Sequence, residues 1–308
     1  MRRAVTAGPL VMKLGGELLE DSSRLESVVA VITRIAGRRE PGLASAKGES
    51  SVRTAPGVPV RGGVPLVIVH GGGKEIDAAL GAAGIEKRQV DGLRITDDAT
   101  LDVVISVLAG AVNTRFVAAL TTAGIAAVGL TGADGPCGLC EAAPPHRSVD
   151  GRTVDLGRVG IPADQADLGP ITTLIGGGFV PVIASIGLGR DGRLFNVNAD
   201  TFAGHVAAAL GARRLVIAGT TAGVMDHGGA TVPVIEPATM ERLIAGGAAT
   251  AGMIAKLRAC EHAVANGVDV VIVDGRNRSA LEAAALGAAP PGTTRIVGAG
   301  LRSCATTE

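Results

Sequence analysis

Residues 9–17 read Pro9-Leu10-Val11-Met12-Lys13-Leu14-Gly15-Gly16-Glu17, and residues 65–74 read Pro65-Leu66-Val67-Ile68-Val69-His70-Gly71-Gly72-Gly73-Lys74. Each is a short apolar run that ends in glycines. Apolar runs of this length without alternation mark strands buried on both faces. The same pattern recurs along the chain. Strands are expected at Pro9–Leu14, Pro65–His70, Ile125–Leu130, Val180–Ile186, Arg214–Gly219, Val268–Val273 and Thr294–Val297. Helices are expected at Leu18–Ile35, Glu75–Ala83, Asp97–Ala123, Asp164–Gly176, Ala199–Gly211, Pro237–Ala245 and Met253–Asn266. Buried strands alternating with helices predict an α/β fold: an open, mostly parallel sheet in an αβα sandwich, joined by right-handed crossovers.

The bulk properties fit that architecture. The chain has 308 residues, 47% hydrophobic and 19% charged, enough for one large domain or two lobes. Lys+Arg and Asp+Glu are both 29, so a balanced surface gives no general reason to expect nucleic acid or an anionic membrane as partner. Tyr and Trp are absent, which removes the usual platforms for stacked bases. No apolar run reaches the ~20 residues of a membrane helix, and Gly8-Pro9 interrupts the apolar stretch after Arg2 and Arg3. A cytoplasmic enzyme is the expectation. Two segments break the rhythm. Residues 37–63 lack apolar periodicity and read as a surface insertion. Residues 131–160 are rich in Gly, Pro and Asp, and suggest a hairpin or lid beside the site.

Both glycine loops follow strands and precede helices. Free N–H groups and the helix dipole favour an anion there, and glycine lets backbone approach it closely. In open parallel sheets ligands gather at the carboxyl ends of strands. Neither loop has the GxxxxGK[ST] or the GxGxxG spacing, and each is also explained by a tight turn alone. Three further stretches carry polar groups. In Phe195-Asn196-Val197-Asn198-Ala199-Asp200, alternation places Asn196, Asn198 and Asp200 on one side, with Asp200 opening a helix, where it also reads as an N-cap. In Thr250-Ala251-Gly252-Met253-Ile254-Ala255-Lys256, Lys256 falls in the first turns of a helix, either as a phosphoryl-binding ammonium or as a surface lysine. In Asp91-Gly92-Leu93-Arg94-Ile95-Thr96-Asp97, Arg94 suits a bidentate clamp on a carboxylate or a surface salt bridge.

Taken together and in order, these stretches resemble the amino-acid kinase family, and within it the acetylglutamate kinases. The resemblance covers about Leu10 to Val297 and rests on KLGG at Lys13–Gly16, VHGGG at Val69–Gly73, GLRITD at Gly92–Asp97, NVNAD at Asn196–Asp200, GMIAK at Gly252–Lys256 and DGR at Asp274–Arg276. It implies that ATP phosphorylates the side-chain carboxylate of N-acetyl-L-glutamate, a step of arginine biosynthesis. Catalytic roles are implied for Lys13, Lys256 and Asp200, the last holding both lysines. The acceptor would be bound by Gly72, Gly73, Arg94 and Asn196. The nucleotide phosphates would meet Gly15, Gly16, Thr220, Gly223, Thr250 and Gly252. Mg²⁺ would travel mainly on those phosphates, with no protein metal site. The acceptor is ionised at pH 7, so no general base is needed, and His70 reads as structural. An N-terminal lobe, residues 1–212 with the insertion, would bind acetylglutamate, and a C-terminal lobe, residues 213–308, ATP. A homodimer is expected, because only about a dozen residues precede Lys13, whereas arginine-inhibited hexamers of the family carry an N-terminal helix. Asp274-Gly275-Arg276 nevertheless resembles part of the arginine-site region.

The chain departs from the family at Thr220, where an acidic residue is usual, at Ala255, where proline is usual, and in the insertion. Two rival readings stand beside this one: a kinase for N-acetyl-aminoadipate or carrier-linked glutamate in lysine biosynthesis, and a non-catalytic amino-acid-binding regulator on the same fold. Retention of Lys13, Asp200 and Lys256 together speaks against the regulator. Cys137 and Cys140, with His146 nearby, invite a zinc reading, but a second Cys pair is missing, and loop packing is the simpler expectation.

Overall fold

The computed structural model describes residues 8–38, 64–148, 150–226, 228–245 and 251–298. The expected insertion lies, from residue 39 on, outside the described residues, as do Thr250 and Cys304. In chain order the strands are β1 (Leu10–Leu14), β2 (Leu66–His70), β3 (Gln89–Val90), β4 (Leu93–Arg94), β5 (Ala127–Thr131), β6 (Leu139–Ala142), β7 (His146–Arg147), β8 (Thr153–Val154), β9 (Val159–Pro162), β10 (Val180–Ala184), β11 (Ile186–Gly189), β12 (Leu194–Val197), β13 (Arg214–Gly219), β14 (Val234–Ile235), β15 (Asp269–Asp274) and β16 (Thr294–Ile296). The helices are α1 (Ser22–Ala36), α2 (Gly73–Ala82), α3 (Asp98–Ile105), α4 (Asn113–Thr122), α5 (Gly169–Gly176), α6 (Ala199–Ala209), α7 (Pro237–Ala245), α8 (Ala251–Ala265) and α9 (Arg278–Ala285).

Eight strands form one sheet in the order β14-β16-β15-β13-β1-β2-β10-β5. Every pairing is parallel except β15 with β16. β1 is central, in register with β13 on one side (Lys13 opposite Ile217) and β2 on the other (Lys13 opposite Val69). Strand parity then divides the core. Leu10, Met12 and Leu14 face a layer built on α1, α2, α3, α4 and α9. Val11, Val67 and Val69 face a second layer built on α5, α6, α7 and α8. Lys13 shares the parity of Val11, so its side chain leaves the sheet toward α6.

Several boundaries differ from the sequence reading, each for a local reason. α1 begins at Ser22, not Leu18, because Asp21 caps it by accepting from Arg24 N. α5 begins at Gly169, not Asp164, with Pro170 in its first turn, where the missing N–H does no harm. The run expected as one strand, Val180–Ile186, breaks at Ser185: β10 stays in the main sheet, and β11 leaves to join β6, β9 and β12 in a small closed barrel. That barrel, with the β7–β8 hairpin, is what the irregular 131–160 region contributes to. α9 and β14 were not expected at all.

The helical stretch Asp98–Thr122 includes a π-helical segment, Ser106–Val112, between α3 and α4. By length and composition it is apolar enough to cross a membrane, contrary to the sequence reading. Its buried side chains, Leu101, Val104, Leu108, Val112, Phe116 and Leu120, are part of the core. Asn113 ties it down by donating to the carbonyls of Leu130 and Val182.

Candidate active site

β1 and β2 end in register, Leu14 opposite His70, so the two glycine loops emerge side by side at the carboxyl edge. They touch through backbone: a Cβ on Gly16 would stand 2.5 Å from Gly72 Cα. In each loop the first glycine completes the strand ladder, Gly15 N donating to Ala218 O and Gly71 N to Leu14 O. Among the described residues no backbone acceptor takes the N–H of Gly16, Gly72 or Gly73. Those donors stand at the starts of a 3₁₀ turn (Gly16–Leu18) and of α2, the positions that attract anions. Leu108 and Val112 of the π segment pack over Gly72 and close the loop from outside.

Above this edge sits a buried charge cluster. Lys13 Nζ lies 2.8 Å from Asp200 Oδ1, with both side chains about one-tenth exposed. The contact is a close ion pair rather than an aligned hydrogen bond, since Oδ1 lacks one. Burial alone would raise the Asp200 pKa; the charges of Lys13 and then Lys256 outweigh it and hold the carboxyl below its usual range. Asp200 is free for this role because it is not the helix cap. The N-cap of α6 is Asn198, whose Oδ1 accepts from Asp200 N and Thr201 N. The sequence reading of Asp200 as a cap is corrected on this point, and the alternation of Asn196, Asn198 and Asp200 gives way to three separate roles.

Lys256 reaches the cluster from α8. Its Nζ lies 3.4 Å from where a Cβ on Gly219 would stand, at the end of β13. What brings α8 so near α6 is a glycine that the sequence reading missed. A Cβ on Gly204 would stand 2.5 Å from Ala259 O, so the helices meet at backbone distance there. Gly204 is one turn from Asp200, and Ala259 nearly one turn from Lys256. The spacing of Asp200 and Lys256 is thus fixed by a contact that only glycine permits.

The third group lies beyond β2. Arg94 is largely buried, donates to Gly73 O at 3.3 Å and pairs through Nη2 with Asp77. Burial would raise the Asp77 pKa; hydrogen bonds from Lys87 and Arg94 override it and lower it. Among the described residues Arg94 Nη1 is buried without a partner, a charged donor suited to an oxygen ligand. Asn196 Nδ2 donates to Thr96 Oγ1 at 3.2 Å, and Thr96 Oγ1 donates to Arg94 O, so Arg94 and Asn196 belong to one hydrogen-bonded unit. Asp77 and Thr96 are the partners sequence could not supply.

On the β13 side, Thr220 follows the strand and is half-buried. Gly219 O accepts from Gly275 N, which draws the ends of β13 and β15 together. Gly223 has φ +57° and approaches Thr294 Oγ1, so its glycine is required by that turn. Gly252 lies in the first turn of α8. Asp274 and Arg276 are engaged with each other. Cys137 and Cys140 are buried, and burial first pushes both thiols up to about 11. Cys140 packs on Gly160 and Gly187, while His146 pairs with Asp91, 2.8 Å away. These contacts support the packing reading of the Cys pair.

Two lysines beside one buried carboxylate, loop N–H groups without a backbone acceptor among the described residues and a buried arginine make an arrangement that suits anions. The amino acid kinase model matches residues 8–274. The chain belongs to the amino acid kinase family. It is 44% identical over 224 residues to the acetylglutamate kinase of Novosphingobium aromaticivorans, a match covering 70% of this chain and 74% of that protein. Its fold resembles N-acetylglutamate synthase from Neisseria gonorrhoeae, solved with coenzyme A and N-acetyl-glutamate (TM-score 0.72, 22% identity, 94% of this chain and 59% of that one). It also resembles Giardia carbamate kinase (TM-score 0.60, 15% identity, 95% and 99%). At those identities the structural likenesses speak for the fold alone.

Two tests follow from this geometry. Gly204→Val forces α6 and α8 apart and should lower phosphoryl transfer by about 10²-fold, the effect of a ~1 Å displacement, with far-UV circular dichroism unchanged. Wild-type turnover in a folded variant refutes the contact's role. His70, at the end of β2, edges onto Phe116 at 6.4 Å, and burial pushes its imidazole down to about 4. Above pH 6.5 both folded and unfolded chains hold it neutral. As pH falls from 6.5 toward 4, only the unfolded chain takes up the proton, which costs about 3 kcal/mol of stability. Urea unfolding across that range should show a shallower loss for His70→Gln than for wild type; parallel curves exclude His70 as the source.

Proposed function

We propose that this chain is an acetylglutamate kinase, transferring the γ-phosphoryl group of ATP to the side-chain carboxylate of N-acetyl-L-glutamate, with N-acetyl-L-glutamyl 5-phosphate and ADP as products, in arginine biosynthesis. The observation that carries this reading is the sharing of Asp200 by Lys13 and Lys256 directly beside unused N–H groups of Gly16, Gly72 and Gly73. A dianionic phosphate chain and a carboxylate repel each other. Fixed cations and N–H dipoles offset that repulsion, most strongly where charge shifts during transfer.

In this reading Asp200 keeps two like-charged lysines close together before substrate arrives. Lys13 and Lys256 then bind the oxygens of the transferring group, and the loop N–H groups bind phosphoryl and acceptor oxygens. The acceptor carboxylate attacks phosphorus, the bond to the bridging oxygen of ADP breaks, and no proton needs to move. Arg94 uses its free Nη1 on an acceptor oxygen, and Asn196 orients the same molecule. Gly15, whose own N–H is engaged by Ala218 O, borders the phosphates beside the end of β13. Thr220, Gly223 and Gly252 border the nucleotide, and Thr250 is assigned to it by the family resemblance alone. Mg²⁺ arrives on the ATP phosphates, in keeping with its reluctance to shed water. The acceptor half is residues 1–212 and the nucleotide half residues 213–308, which the pairing of β1 with β13 joins into one sheet. The enzyme works in the cytoplasm.

A homodimer is also proposed. β5 ends the sheet with a partner on one side only, and a groove of about 620 Å³ runs between β5 and α4, lined by Val117, Ala118 and Leu130. A second copy placed there covers an otherwise bare strand edge. Light scattering on the eluting protein should give twice the chain mass; a monomer at micromolar concentration overturns this arrangement.

The reaction is tested by trapping acyl phosphate with hydroxylamine after incubation with ATP and N-acetylglutamate, N-acetyl-aminoadipate or glutamate. Product is expected with N-acetylglutamate, and no product from any acceptor sinks the kinase reading. In the same assay Lys256→Ala should lower kcat by 10²-fold or more; a change confined to KM contradicts a role in the transition state.

A further inference from the structure

Away from the substrates' proposed positions, three donors from three separate segments converge. Asp164 lies in the connection after β9, His205 on α6 and His262 on α8. One ring nitrogen from each histidine and a carboxylate oxygen of Asp164 lie within 4.8 Å of one another. The two imidazoles stack, with centroids 5.1 Å apart and planes 14° from parallel.

His205 is the fixed member. It is only 9% exposed, and its Nε2–H donates to Ala163 O at 2.9 Å. A carbonyl can only accept, so the tautomer is set and the other ring nitrogen keeps its lone pair. This is the arrangement that orients metal-binding histidines in general. Asp164 and His262 are both exposed, and binding would turn the His262 ring out of its stack on His205.

We propose that Asp164, His205 and His262 form a binding site for a divalent transition-metal cation of the zinc type, and that the bound ion ties α6 to α8. Two imidazoles and one carboxylate suit zinc, cobalt or nickel, whereas magnesium and calcium prefer oxygen donors. Ligand bonds of about 2.0–2.2 Å require donors about 3.3 Å apart, so the set closes by roughly 1.5 Å on binding. The two exposed side chains supply that movement. With three protein ligands the fourth position is left to water, which makes the site exchangeable rather than permanently filled. Its place gives it a consequence. His205 directly follows Gly204, the point where α6 meets Ala259 of α8. An ion here braces the helix pair that carries Asp200 and Lys256. Ion binding is independent of the reaction assigned to the carboxyl edge, so either can fail alone.

The test uses the full-length protein, stripped with EDTA and titrated with Zn²⁺ in the absence of nucleotide, followed by calorimetry and thermal unfolding. One Zn²⁺ per chain and a rise in Tm are expected, with no rise from Mg²⁺ at the same concentration. His262→Ala and Asp164→Asn, both at exposed positions, should each weaken Zn²⁺ binding at least tenfold while keeping the wild-type Tm in EDTA. Absence of binding overturns the proposal. So does binding of equal strength in both variants, which would place the ion elsewhere, for instance at Cys137 and Cys140.

Discussion

The ion pair between Lys13 and Asp200 is the constraint around which the rest is arranged. An ammonium on the central strand of a sheet covered on both faces has little access to water, and leaving it unpaired is costly. Strand parity decides which layer it enters, and that layer must then present a carboxylate at the right height. Asn198 makes this possible by taking over the capping of α6, so that Asp200 is not drawn back to its own helix end. A single carboxylate neutralises one lysine. The second, Lys256, leaves the cluster with a net positive charge suited to an anion, and the Gly204–Ala259 contact sets how close that second charge comes.

The flanks of β1 are organised differently. On the β2 side the groups form a network: Asp77 holds Arg94, Arg94 bonds the Gly73 carbonyl, and Thr96 links Arg94 to Asn196. Such a network fixes orientation and suits a small ligand read through directional hydrogen bonds. On the β13 side the geometry comes from backbone contacts, Gly219 with Gly275 and Gly223 with Thr294. Thr220 adds no charge there. Under the proposed function, the asymmetry would give a discriminating acceptor side and a nucleotide side that works through shape.

Much of this was legible in the residues because the main strands are short, largely apolar and several are followed by glycine. β1, β2, β13 and β15 fall within a residue or so of their expected limits. What sequence missed has specific causes. α9 is rich in alanine, and its amphipathic pattern spans barely two turns. β6, β9, β11 and β12 are four residues each and gain stability only by closing on one another. Asp77 lies 17 residues from Arg94, and nothing local predicts that pair. Gly204 reads as an ordinary helix glycine until the neighbouring helix is in place. The role of Asp200 was anticipated through family resemblance, but its freedom from capping is a finding of the structure.

The contact between Gly16 and Gly72 has one more implication. A Cβ on Gly16 would run into the Gly72 backbone, and one on Gly72 into the Leu108 and Val112 side chains, so neither glycine can change without a neighbour yielding. Beneath the charge cluster the surface is therefore peptide backbone, the same for any sequence that keeps the turn. Side chains that could vary lie farther out, beyond β2 and β13, so under the proposed function acceptor preference could drift while the place of phosphoryl transfer stayed fixed.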